Sequence, residues 1–128
     1  MKCFRVIIAL LLPLLFVACE FEEADLGFPK TVIFTNEGGE MIVTSEKGEY
    51  FAHAEIHDYK SGEDGVTTTL EDGRECNIYK WLNIEYQRNS TEIKIIAEPN
   101  EKQSRTLHIE LYSGTQYHVI QVVQKGNN

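Results

Sequence analysis

The sequence predicts an all-β fold, a sandwich or barrel, and three observations predict it. From Thr31 onward, segments of five to eight residues rich in β-branched and aromatic types recur between turn residues. Beyond the first 18 residues, no 11-residue window sustains the 3.6-residue apolar repeat of a helix. Near the C terminus, apolar and polar residues alternate strictly enough to fix a strand register.

Taken in order, residues 31–36 (TVIFTN) end at Glu37-Gly38-Gly39, and residues 40–45 (EMIVTS) follow. Residues 50–57 (YFAHAEIH) precede the polar loop DYKSGEDG at 58–65. Residues 66–70 and 74–78 flank Glu71-Asp72-Gly73, and Asp-Gly between extended runs is the pair a type I′ hairpin turn favours. Residues 81–86, 92–97, 105–112 and 117–124 complete the set.

The last hairpin can be drawn residue by residue. With Gly114-Thr115 as a two-residue type II′ loop, Leu111 faces His118, Ile109 faces Ile120 and Leu107 faces Val122 on the core side. The other face then pairs Tyr112 with Tyr117, Glu110 with Val119 and His108 with Gln121. A slip of one residue would bury Glu110 or Gln121, so the apolar pattern selects this register.

The N terminus reads differently. Lys2 and Arg5 are the only charges in the first 18 residues, and 6–17 is apolar apart from Pro13. That is the pattern of a signal peptide, too short for a comfortable bilayer span. Phe16-Val17-Ala18-Cys19 resembles the bacterial lipobox, with Phe16 in place of the usual Leu; the resemblance implies diacylglyceryl transfer to Cys19 and cleavage before it. Removing residues 1–18 leaves 110 of 128 residues and takes two of the 12 basic residues but none of the 20 acidic ones. The formal charge then moves from −8 to −10. Such an acidic chain disfavours nucleic acid as a partner. With Cys3 removed and Cys19 acylated, Cys76 has no disulfide mate. Residues 19–30 read as the lipidated cysteine and an acidic tether, its acids a solvated spacer. Acids directly behind the cysteine also resemble the export signal of Bacteroidetes surface lipoproteins, which implies an outer-membrane, cell-surface location.

Catalytic chemistry finds little support. His53, Glu55 and His57 share one strand face, but four residues separate the two histidines, roughly 13 Å at ~3.3 Å per residue, so both cannot ligate one metal ion. They read as a solvated face, and no metal is expected. Cys76 beside Glu75 reads as a buried structural thiol rather than a nucleophile. Asp58, Glu63 and Asp64 miss the spacing of a calcium loop and read as a charged turn. No phosphate loop or nucleophile elbow occurs, so the chain is expected not to be an enzyme and to carry no cofactor beyond the lipid on Cys19. Trp81 reads as core. Tyr112 and Tyr117, an outward pair on the drawn hairpin with His108 on the same face, are the candidate ligand-binding residues, because sugar C–H faces pack on rings.

From Trp81 to Gln124 the order of features resembles a BACON domain, the often N-terminal Bacteroidetes module found beside carbohydrate-active enzymes. The resemblance rests on Trp81-Leu82, Ile93-x-Ile95 before Asn100, Arg105-Thr106-x-His108-Ile109, and Ile120-Gln121-Val122-Val123-Gln124. Phe34, Gly38-Gly39 and Ile42-Val43-Thr44-Ser45 resemble its opening strands. It implies an immunoglobulin-like sandwich of about seven strands over 31–128. The chain departs from that family at 58–78, where a loop and a hairpin are inserted. The implied role is a non-catalytic surface lipoprotein, an accessory module for glycans or mucin-type partners. The alternative is a protein-interaction lipoprotein (adhesin, complex subunit or protease inhibitor) that binds through 58–78.

Overall fold

A computed structural model describes residues 2–8 and 14–127, with side chains from Phe21 onward. The leader expected over 1–18 therefore falls partly outside the described residues, as does the side chain of Cys19. There β1 (Lys2–Ile8) and β2 (Leu14–Glu20), which runs past the leader to Glu20, pair antiparallel as a sheet of their own. Among the described residues no helix is long and apolar enough to cross a membrane.

The remaining strands are β3 (Glu22–Glu23), β4 (Thr31–Phe34), β5 (Gly39–Thr44), β6 (His53–Asp58), β7 (Glu63–Asp64) and β8 (Val66–Thr69). They continue with β9 (Glu75–Tyr79), β10 (Leu82–Tyr86), β11 (Glu92–Ala97), β12 (Arg105–Ser113) and β13 (Gln116–Gln124). Every segment anticipated from Thr31 onward is a strand. One sheet has the order β5-β11-β10-β9-β8 and is antiparallel throughout. The other runs β13-β12-β6-β7, with β3 and β4 lying end to end and parallel along the outer side of β13. The fold is an all-β sandwich. The seven strands β4, β5, β6, β10, β11, β12 and β13 carry it. The 58–78 segment supplies β7, β8 and most of β9, and the segment before Thr31 supplies β3.

Alternation builds the core. Ile56, Leu82, Ile84, Ile93, Ile95, Ile109, Leu111, Ile120 and Val122 are fully buried between the sheets, each worth about 1.5–3 kcal/mol in transfer from water. Trp81 is buried among them as expected, with the Arg105 guanidinium 4.6 Å from its ring centre. The β12–β13 register is the one the sequence draws, pair for pair. Gly114 alone of its turn takes a positive φ, 61°, as a type II′ loop requires. The other turn differs from expectation. Asp72 keeps a negative φ while Gly73 sits at 92°, and the Gly73 N–H donates to the Leu70 carbonyl at 2.9 Å. That is a three-residue loop with glycine in the left-handed position, because Glu71 adds one residue to the pair a type I′ turn would hold.

The 58–78 segment joins the two layers. After β7 has paired with β6, the chain passes through Gly65 and enters the other sheet as β8. The Gly65 N–H donates to the Ile56 carbonyl at 2.8 Å, and a Cβ on Gly65 would collide with Asn77 Oδ1.

Residues 19–30, expected as a solvated spacer, are not solvated throughout. Leu26 and Phe28 are 3% and 4% exposed and belong to the core. His118 fastens this segment: its Nδ1 accepts the Leu26 N–H at 3.0 Å and its Nε2 faces the Pro29 carbonyl at 3.1 Å. An acceptor at Nδ1 leaves the ring proton on Nε2, so one neutral imidazole satisfies both backbone groups. The sandwich thus also takes in β3, Leu26 and Phe28 from ahead of Thr31.

Candidate functional site

The outer face of β6, β12 and β13 is a three-by-three grid of side chains. Register aligns His53 with Tyr112 and Tyr117, Glu55 with Glu110 and Val119, and His57 with His108 and Gln121. Each residue faces outward because its neighbours in the chain face the core.

Two segments from outside the grid cover its ends. Phe21 meets the Tyr112 ring edge-on at 5.5 Å, and His53 stacks on the same ring at 4.7 Å. Tyr112 is left 8% exposed. It points outward as the sequence requires, yet it supports its neighbours instead of offering a free ring. At the other end Tyr59, from the 58–65 loop, stacks on His108 with ring centres 4.1 Å apart and planes 15° from parallel. Tyr117 lies 6.0 Å from Tyr112 and is only partly covered.

Glu110 ties these parts together. Tyr59 donates its hydroxyl to Glu110 Oε2 at 2.6 Å, and Tyr112 donates its own to Oε1. His57 Nε2 lies 3.2 Å from that same Oε1. Burial first, then the hydrogen bond to Glu110 and after it the Glu110 charge, push both phenols well above their ordinary value near 10, so both are hydrogen-bond donors at neutral pH. Burial holds the His108 imidazole below its ordinary range, with Glu110 and Asp58 pulling the other way and His57 adding to the fall.

Beside the grid lies an open cleft of about 860 Å³. Tyr59 and His108 form one wall, Glu110, Tyr117 and Gln121 the floor, and residues 23–25 with Lys30 the other side. Stacking faces, a carboxylate, an amide and an ammonium converge on one space. That is a surface for a ligand with both apolar C–H faces and hydroxyl groups.

Elsewhere the candidates have structural surroundings. His53 lies 3.7 Å and His57 3.4 Å from Glu55, and His57 Nδ1 is 2.5 Å from Asp64. The strip expected as a solvated face is thus partly roofed, because Asp64 of β7 folds over it. Among the described residues no three His, Cys, Asp or Glu side chains form a metal-holding group. Cys76 is buried, with Sγ against Asn83 Oδ1 at 3.1 Å, and burial followed by the Glu85 charge raises its thiol. Asp58 Oδ1 caps the Lys60 N–H at 3.1 Å, while the Tyr79 hydroxyl lies between Asp58 and Glu63. That set is a charged turn.

Of the residues singled out from sequence, Tyr117 and His108 line the cleft and Tyr112 stands behind it. Sequence reasoning missed Tyr59 and Glu110. A lone aromatic in the polar loop DYKSGEDG was the available sign of Tyr59; Glu110 is one of two carboxylates on the grid, and nothing local marks it.

No protein-family model matches the chain, and no curated protein matches it. An NMR structure of a protein from Bacteroides thetaiotaomicron is similar, with 17% identity over 75% of each chain and a TM-score of 0.51. At that identity the likeness concerns the fold alone, and the fold it shares is the β-sandwich.

Proposed function

We propose that the protein is a non-catalytic lipoprotein, anchored in the outer membrane through Cys19 and exposed at the cell surface, whose sandwich binds glycans or mucin-type partners. The observation that carries the binding half is the cleft between the Tyr59/His108 stack and Tyr117. The stretch from Phe16 to Cys19 carries the anchor, and the resemblance of 81–124 to BACON domains points the same way. Pyranose rings have apolar faces that pack on aromatic rings and hydroxyls that reach carboxylates and amides. The protein's own lipid is the only attached group the reading needs. A glycan panel probed with the wild type and with the Tyr117→Ala/His108→Ala variant tests it. Binding that the double variant loses supports the cleft. A flat response by the wild type counts against it.

One observation favours the second reading, a protein-interaction lipoprotein acting through 58–78. Val66 and Ile78 are cross-strand partners at the free edge of a sheet, 68% and 46% exposed. An unpaired strand edge with an apolar pair beside it is a site where another chain can add a strand. Because Asn77 and Gly65 hold the sandwich together, deleting the segment would damage the fold; Val66→Lys/Ile78→Lys is the cleaner variant. Partner recovery lost in that variant, with the glycan panel flat, selects this reading.

A further inference from the structure

The segment that follows the cysteine is docked almost from its first residue. Glu22 donates its N–H to the Thr115 carbonyl at 2.8 Å, at the turn between β12 and β13. Ala24 donates to the Tyr117 carbonyl at 2.7 Å, and Phe21 is already against Tyr112. Three steps of chain separate Cys19 from Glu22, and fully extended they span about 10 Å. Since β3 runs parallel to β13, the chain leaves Glu22 toward the N terminus past the 114–115 turn rather than back along the sheet.

Resting on the anchor reading above, we infer that the lipid-anchored protein stands on the end of the sandwich formed by the 113–116 turn, held within about 10 Å of the lipid headgroups. Its opposite end, with the 58–62 and 98–104 loops, faces outward. β13 runs for nine residues between these ends, a height of about 30 Å. The surface that meets the bilayer carries Glu22, Glu23, Glu46 and Glu49 against Lys47 and Arg88, all exposed, and this excess of carboxylates is repelled by anionic headgroups. Phe21 spends its ring on Tyr112. The domain therefore rests above the lipid instead of inserting into it. The cleft runs up the side: Glu23 and Tyr117 lie low, and Tyr59 with His108 lies high. A partner arriving from outside meets Tyr59 and the 58–65 loop first.

The test uses the full lipidated chain in phosphatidylcholine vesicles with nitroxide on a fraction of the headgroups. A maleimide fluorophore is placed at Thr115→Cys or at Lys102→Cys; acylated Cys19 and buried Cys76 do not compete for it. Emission from position 115 is expected to be quenched several-fold more than emission from 102. A Gly/Ser spacer inserted between Glu20 and Phe21 leaves β3 in place and is expected to abolish that difference. Equal or reversed quenching, in a protein whose intact mass includes the acyl chains, overturns the orientation and leaves the anchor standing. An intact mass without acyl chains overturns the anchor, and the orientation falls with it.

Discussion

Asn77, on the β8-side sheet, accepts the backbone N–H of Ile56 on the other sheet at 2.9 Å and donates to Thr67 Oγ1 at 2.8 Å. Asn77 and Ile56 are both fully buried, so this side chain completes a strand edge that water cannot reach. With the Gly65 N–H on the Ile56 carbonyl, it locks the 58–78 segment into both layers. Asn77→Ala strands a buried N–H and is expected to lose about 1–3 kcal/mol, read as a lower urea midpoint with an unchanged slope. Thr67→Val, at the exposed rim, is expected to lose less. Equal losses in the two variants would contradict this role.

Glu110 accepts from both Tyr59 and Tyr112, and the pH dependence follows. The fold raises both phenols above 10, so the folded chain holds protons there that the unfolded chain has released. Their contribution to stability is complete below about pH 10 and is lost as pH rises past it. Glu110→Gln removes the charge and is expected to bring part of the phenolate absorbance change to lower pH. An unaltered titration would remove Glu110 from the account.

His108 gives the opposite slope. Its folded value lies below the ordinary 6.5, so the unfolded chain takes up the proton first as pH falls. Stability is expected to decline below about pH 6.5, and His108→Phe, which keeps a ring for Tyr59, is expected to flatten that decline. Urea midpoints at pH 7.5 and 5.5 for both proteins make the comparison; parallel lines would contradict it.

Most of the fold could be read from the sequence because it rests on local alternation. Leu107, Ile109 and Leu111 set against Ile120 and Val122 leave only one register, and each strand from Thr31 onward except the two-residue β7, inside the polar loop, stands where turn residues bound it. Leu26 and Phe28 could not be read that way. Two apolar residues among Glu, Asp, Gly and Pro look like a linker, and their burial depends on pairing with β13 some ninety residues away. The site divides along the same line. Register placed Tyr112, Tyr117 and His108 on one face, whereas their exposure depends on Phe21 and Tyr59, which arrive from the segment before Thr31 and from the 58–65 loop.

The Cys76 thiol is expected to be inert in the folded protein. Burial and Glu85 both keep it protonated, and only the thiolate is nucleophilic. In the mature protein with Cys19 acylated, an aromatic disulfide reagent is expected to react slowly in buffer and promptly with one thiol in denaturant. Rapid reaction of the folded chain would contradict the burial.

The anchor, the surface location and the orientation of the cleft all presuppose that Cys19 is acylated. Cells fed a labelled fatty acid and expressing either the wild type or Cys19→Ser test that claim most directly. Label on the wild type that is absent from the serine variant, together with loss of detergent partitioning and an unchanged β-sheet circular dichroism spectrum, is the predicted result. A serine variant that still carries label and still partitions with the membrane fraction would contradict it.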